Sequence, residues 1–164
     1  MKQLWAPWRM EFLTEPKKGS QDSCVFCELL SQKQDDTNLI LHRGKTHFVI
    51  LNKYPYNNGH LMVIPLRHTN DYTSLTKQEL SEMNALTQHA MKALRNAYEP
   101  QGFNLGMNLG TAAGAGIKEH LHMHIVPRWV GDTNFLPVLG DTKSMPQHLT
   151  ASFEALLPYF RKEL

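Results

Sequence analysis

The chain has 164 residues, 41% of them hydrophobic, which suits one domain with a buried core and would be cramped for two. Seventeen Lys and Arg against fifteen Asp and Glu leave it nearly neutral, so composition gives no general electrostatic case for a nucleic-acid or membrane partner, and any anion selectivity has to be local. With Cys24 and Cys27 the only cysteines, a disulfide framework is excluded.

The first nine residues lack the apolar core of a signal peptide and no stretch approaches a membrane span, so a cytoplasmic protein is expected. Residues 1–20 mix Trp5, Trp8, Pro7, Pro16 and the turn Lys17-Lys18-Gly19-Ser20, and read as an irregular arm docking its tryptophans on the body or on a partner subunit. The main domain is expected over 21–140, with 141–164 a helical extension packing on it. Cys24-Val25-Phe26-Cys27 forms a knuckle before a short helical turn; such a pair is a metal half-site, a redox pair or two buried thiols.

Strands are expected over 38–42 and 46–51, joined by the turn Arg43-Gly44-Lys45. The cluster Tyr54-Pro55-Tyr56-Asn57-Asn58-Gly59 is a turn, and 60–65 resumes as an apolar strand buried on both faces. Thr76-x-x-Glu79 is a capping box opening a long helix whose Leu80, Met83, Thr87, Ala90, Met91, Leu94 and Tyr98 recur at helical spacing and which stops before Pro100. His89 falls near its polar flank, with a structural role. A strand over 102–108, a Gly/Ala loop over 110–116 and an amphipathic C-terminal segment over 146–159, with Pro158 near its end, complete the pattern. This order argues for an α+β domain with an antiparallel sheet, one long helix and a shorter C-terminal helix.

The chemistry concentrates in His120-Leu121-His122-Met123-His124-Ile125-Val126. Strict alternation predicts a half-buried strand with the three imidazoles on one face. Alternate residues of a strand lie roughly 6.6 Å apart and the outer pair about 13 Å apart, so one zinc ion with bonds of about 2 Å cannot collect all three. At least one histidine is left for other chemistry. The loop from Gly110 to Gly116 does not match a P-loop and by itself is a turn; beside the histidines it becomes a candidate phosphate cradle.

This motif resembles the signature of the histidine triad superfamily, His-φ-His-φ-His-φ-φ with φ apolar, and the chain is most similar to its diadenosine polyphosphate phosphorylase branch, with a Trp-rich start and Pro127-Arg128-Trp129 after the triad. The resemblance implies a histidine triad fold, usually a homodimer, and an enzyme that breaks phosphoanhydrides through a nucleotidyl-histidine. By motif position His122 is the nucleophile, His124 assists at the phosphate, and His60 completes the phosphate site. Asn108, with Gly114, Ala115 and Gly116 of the loop, stands where relatives contact phosphate, although some relatives carry a polar side chain at the place of Ala115. Phe26 and Asn52 are nucleoside candidates, with core packing as the plain alternative, and Trp129 is a candidate for the subunit interface. Cys24, Cys27, His68 of Pro65-Leu66-Arg67-His68, and His120 stand where relatives hold structural zinc. A neutral imidazole is a competent nucleophile near pH 7. The leading expectation is cleavage of a diadenosine polyphosphate resolved by inorganic phosphate. Its alternatives are resolution by water, a zinc-stabilised nucleotide-binding module with little turnover, and a zinc-hydroxide hydrolase, which a closed ligand set disfavours.

Overall fold

The structure, a computed structural model, describes residues 24–133, 139 and 144–161. The expected N-terminal arm with Trp5 and Trp8 lies outside the described residues, as do the 141 boundary and Phe135. Helix α1 (Val25–Gln32) follows Cys24, and three strands come next: β1 (Ile40–Arg43), β2 (His47–Leu51) and β3 (Leu61–Pro65). The long helix α2 (Lys77–Tyr98), strands β4 (Gly102–Gly106) and β5 (Met123–Arg128), and helix α3 (Leu149–Arg161) follow, with single 3-10 turns at Tyr72–Ser74 and Thr111–Ala113. The five strands form one antiparallel sheet in the order β1-β2-β3-β5-β4.

Residues directly opposed in a sheet share a face, so the register divides the core. Val49, Val63, Leu61 and Ile125 point to one face, where Met83, Leu86, Ala90 and Leu94 of α2 and Phe153, Leu156 and Phe160 of α3 cover them. Phe48, Ile50, Met62 and Ile64 point to the other, against Phe26 of α1 and Ile40. His124 lies opposite Met62 and therefore emerges on this second face.

Helix α2 is bounded as its sequence dictates. The Thr76 hydroxyl accepts from the Glu79 N–H while the Glu79 carboxylate accepts from the Thr76 N–H, and Glu99 closes the helix in a left-handed conformation before Pro100. Arg67, bonded to Glu79 at 3.0 Å, holds that carboxyl down to about 2.

Four expectations need correction. The triad strand begins only at Met123, and His120, Leu121 and His122 precede it as irregular but buried chain. The reason is Pro65 at the end of β3: it has no N–H to offer the ladder, and its carbonyl instead accepts from the His120 ring at 2.8 Å. Strand β4 likewise ends at Gly106, leaving Met107 and Asn108 outside it. His89 is not on a polar flank but buried between α2 and α3, with Nε2 2.9 Å from the Tyr159 carbonyl. Helix α3 begins at Leu149 and runs through Pro158 to Arg161, because a proline in the last turn removes only the bond to the carbonyl four residues back.

Candidate active site and metal centre

Three backbone groups set the protonation pattern of the imidazoles. An amide N–H can only donate, and that of Tyr56 reaches His60 Nδ1 at 3.0 Å, so Nδ1 is an acceptor and neutral His60 carries its proton on Nε2. That Nε2–H donates to His124 Nδ1 at 2.9 Å, which places the His124 proton on its own Nε2. A carbonyl can only accept, and the His120 carbonyl lies 2.8 Å from His122 Nδ1, so Nδ1 of His122 is the protonated nitrogen and Nε2 of the neutral ring is a lone pair. The His122 and His124 rings meet edge to face with centroids 4.8 Å apart. The ring that carries a basic nitrogen therefore packs against the ring that carries an N–H donor.

Burial first, and the neighbouring His122 second, hold His124 neutral, with its pKa pushed down to about 4. Burial also lowers His120, and lowers His47 and His42 under α2. These shifts predict acid instability. Above about 6.5 both folded and unfolded imidazoles are neutral and the stability is fully present; as pH falls from there toward about 4, the unfolded chain takes up protons that the folded chain refuses, and stability is lost. Thermal unfolding between pH 7.5 and 5 should show a falling midpoint, and a flat profile would contradict the neutral assignment.

Phe26, which is 3% exposed, lies 5.5 Å by ring centroids from both His120 and His122. Asn52 sits at the start of the 52–60 loop: its Oδ1 accepts from the Tyr54 N–H, its Nδ2 meets Met62 Sδ at 3.5 Å, and its N–H closes the loop on the His60 carbonyl. Asn108 is half-buried just beyond β4. In the Gly110–Gly116 loop the N–H groups of Gly114 and Ala115 are directed at the carbonyls of Thr111 and Gly110, so the loop is a self-bonded turn, with Gly110 and Gly114 at positive φ. Trp129 donates from Nε1 to the Tyr98 carbonyl at the end of α2.

A supporting network escaped the sequence reading. Asn57 donates to the Pro127 carbonyl at 2.9 Å and to Asp132 at 2.8 Å, and Asp132 is clamped by Arg128, whose guanidinium holds that carboxyl well below the usual range. It fastens the loop before His60 to the end of β5. Asn57-Asn58-Gly59 read only as a turn; the signal for more was a pair of amides next to a histidine.

Cys24, Cys27, His68 and His120 form the second cluster, with one donor atom from each all within 4.8 Å of one another. Adjacent donors of a tetrahedral zinc with about 2.0 Å bonds to nitrogen and 2.3 Å to sulfur stand roughly 3.3–3.8 Å apart. Cys24 Sγ to His120 Nδ1 is 3.3 Å, Cys27 Sγ to His68 Nδ1 3.4 Å, and Cys27 Sγ to His120 Nδ1 3.7 Å, so the set fits such an ion. The His120 Nε2–H on the Pro65 carbonyl leaves Nδ1 as the ligating lone pair. Burial and the adjacent Cys24 push the Cys27 thiol up, which a cation between the sulfurs would reverse.

The HIT domain family model matches residues 32–130. The chain belongs to the HIT domain family. It is 43% identical over 155 residues, 91% of the chain and 79% of the relative, to the AP-4-A phosphorylase of Mycobacterium tuberculosis. Among solved structures, a Zn-bound histidine triad family protein from Mycobacterium smegmatis superposes with a TM-score of 0.68 at 28% identity, covering 85% of this chain and 94% of that one. A hypothetical histidine triad nucleotide-binding protein from Sulfolobus tokodaii gives 0.66 at 27% identity, covering 85% and 90%. The α+β histidine triad fold expected from the motif is the HIT fold observed. No helix among the described residues is long and apolar enough to cross a membrane.

Proposed function

We propose that this HIT protein is a nucleotidyl transferase that cleaves diadenosine polyphosphates through a nucleotidyl-His122 intermediate and passes the nucleotide to inorganic phosphate. The observation that carries the reading is the His122 ring, with its Nε2 lone pair, packed against the His124 ring, with its N–H, and the 43% identity to a mycobacterial AP-4-A phosphorylase supports the substrate and acceptor. His122 Nε2 forms a bond to the α-phosphorus while the bond from that phosphorus to the bridging oxygen breaks. The departing polyphosphate keeps the electron pair, with His124 Nε2–H as donor to it. A phosphate oxygen then displaces His122 and regenerates the free imidazole. His60 holds the His124 tautomer throughout, and Asn108 with Gly116 at the end of the loop faces the phosphates, the Gly114 and Ala115 N–H groups being directed at carbonyls of the loop itself. Asn52 stands on the nucleoside side, with Phe26 packed in the core beneath His120 and His122.

Cys24, Cys27, His68 and His120 would hold zinc in a closed set with a structural role, fastening α1 to the end of β3. The two cysteines are unpaired, which suits a reducing cytoplasm. A homodimer is supported by β4, a sheet edge on which Leu105 stands 49% exposed.

Incubating the protein with diadenosine tetraphosphate, with and without inorganic phosphate, decides the acceptor. Phosphate-dependent ADP plus ATP is the expected result. AMP plus ATP formed without phosphate would make it a hydrolase, and binding without product or adduct would sink the transferase reading.

A further inference from the structure

The histidine that gives His124 its tautomer stands at the end of a loop. Residues 52–60 carry the chain from β2 to β3, and the loop is braced from within: the Asn52 N–H donates to the His60 carbonyl at 2.8 Å, the Tyr54 N–H to the Asn52 side chain at 2.8 Å, the His60 N–H to the Asn57 carbonyl at 3.1 Å, and the Tyr56 N–H to His60 Nδ1 at 3.0 Å. Bonds of this kind keep the loop's shape but move with it. Two side chains fasten it to the body. Asn58 meets Gln147 at 3.4 Å and Ser152 of α3 at 3.2 Å, and Asn57 reaches across to the chain that carries His124.

The Asn57 tie is the stronger of the two. Both hydrogens of its Nδ2 are used, one on the Pro127 carbonyl at 2.9 Å and one on Asp132 at 2.8 Å, and a bond to an ionised carboxylate is roughly twice as strong as one between neutral groups. Gly131, at φ +83°, turns the chain back after β5 so that the Arg128 guanidinium grips both Asp132 oxygens, at 2.6 and 2.8 Å. Arg128 also donates to Asn104 of β4 at 2.7 Å. The Asp132 side chain, 7% exposed, is thus the point where β4, β5 and the 52–60 loop meet.

What hangs on this point is the place of His60. The ladder between β3 and β5 starts with Leu61 opposite Ile125, so His60 is the first residue beyond it, and the loop decides whether its ring stays within reach of both the Tyr56 amide and His124 Nδ1. A neutral imidazole released from that amide can adopt its other tautomer, whose Nε2 accepts and no longer donates to His124.

We infer that Asp132 is a positioning residue for the proposed reaction: acting through Asn57 and His60, it keeps the Nε2–H of His124 in place for the departing oxygen. This rests on the diadenosine polyphosphate reading above. Asp132→Ala, and Asn57→Ala, which leaves the Arg128–Asp132 pair intact, should each lower kcat for diadenosine tetraphosphate roughly tenfold with KM nearly unchanged. In a His60→Ala background neither substitution should lower kcat further, because the residue through which it acts is gone. Losses that multiply in the double variants, or an unchanged kcat in the folded single variants, would overturn the inference. Nitrogen-15 NMR of histidine-labelled protein reads the same link without turnover. His60 should show a single Nε2–H tautomer in the wild-type protein and a shift toward a mixture in both variants; a single tautomer kept in both would reduce the clamp to a structural tie. Wild-type protein that does not turn over diadenosine tetraphosphate would remove that reading, and the part given to Asp132 in the reaction with it, whatever the tautomers show.

Discussion

Replacing His122 with alanine should lower turnover of diadenosine tetraphosphate by more than roughly a thousandfold, while nucleotide binding largely survives. The asymmetry follows from the geometry. The Nδ1 of His122 is tied to the His120 carbonyl and its Nε2 is the basic nitrogen of the row, so removing the ring deletes the atom that would bond to phosphorus. The other groups proposed to meet the substrate stand on other elements: Asn108 and the loop after β4, and His60 before β3. Acid-sensitive nucleotide label on the wild-type protein and none on His122→Ala, read by intact mass after rapid mixing, checks the covalent step. A variant with wild-type turnover would end the assignment of His122.

The second large effect concerns the metal centre. Stripping zinc with a chelator, or substituting Cys24→Ala, should cost about 3 kcal/mol and lower the unfolding midpoint by roughly 5–10 °C. The four candidate ligands come from the start of α1, the loop after β3 and the entry to β5, and a metal held by them would tie three segments to one another. A purified protein without zinc and with an unaltered midpoint would remove the structural role. The cost should also reach the nucleotide side. Phe26 lies between the two cysteines and against His122, and His120 offers its ring to the cluster and its carbonyl to His122, so a chelated protein should bind AMP more weakly.

Much of this was legible in one dimension. Alternation correctly put Met123 and Ile125 on the core face and His124 on the other, and Thr76-x-x-Glu79 marked where α2 begins. What the alternation could not report is that the strand starts at Met123, because that depends on Pro65, more than fifty residues away, failing to supply a ladder partner. His89 was misplaced for a similar reason: helical periodicity shows which residues share a face, but α3 arrives from a distant part of the chain to cover that one. The candidate metal ligands could be named from spacing and resemblance; their convergence within 4.8 Å belongs to the fold. The Asn57–Asp132–Arg128 clamp had no counterpart in any motif, since its members meet only when the loop before β3 folds over the end of β5.

The groups that orient His60, His120 and His122, the amide of Tyr56 and the carbonyls of Pro65 and His120, are all main chain, and His124 takes its tautomer from His60. A side-chain orienter can be erased by almost any point mutation; of these, only a proline at position 56 would remove one, because every residue but proline supplies the same N–H and every residue the same carbonyl. The placement of protons in this site is therefore inherited with the path of the backbone. Losing the pattern requires bending the chain, putting a proline at position 56, or replacing His60, through which the order reaches His124.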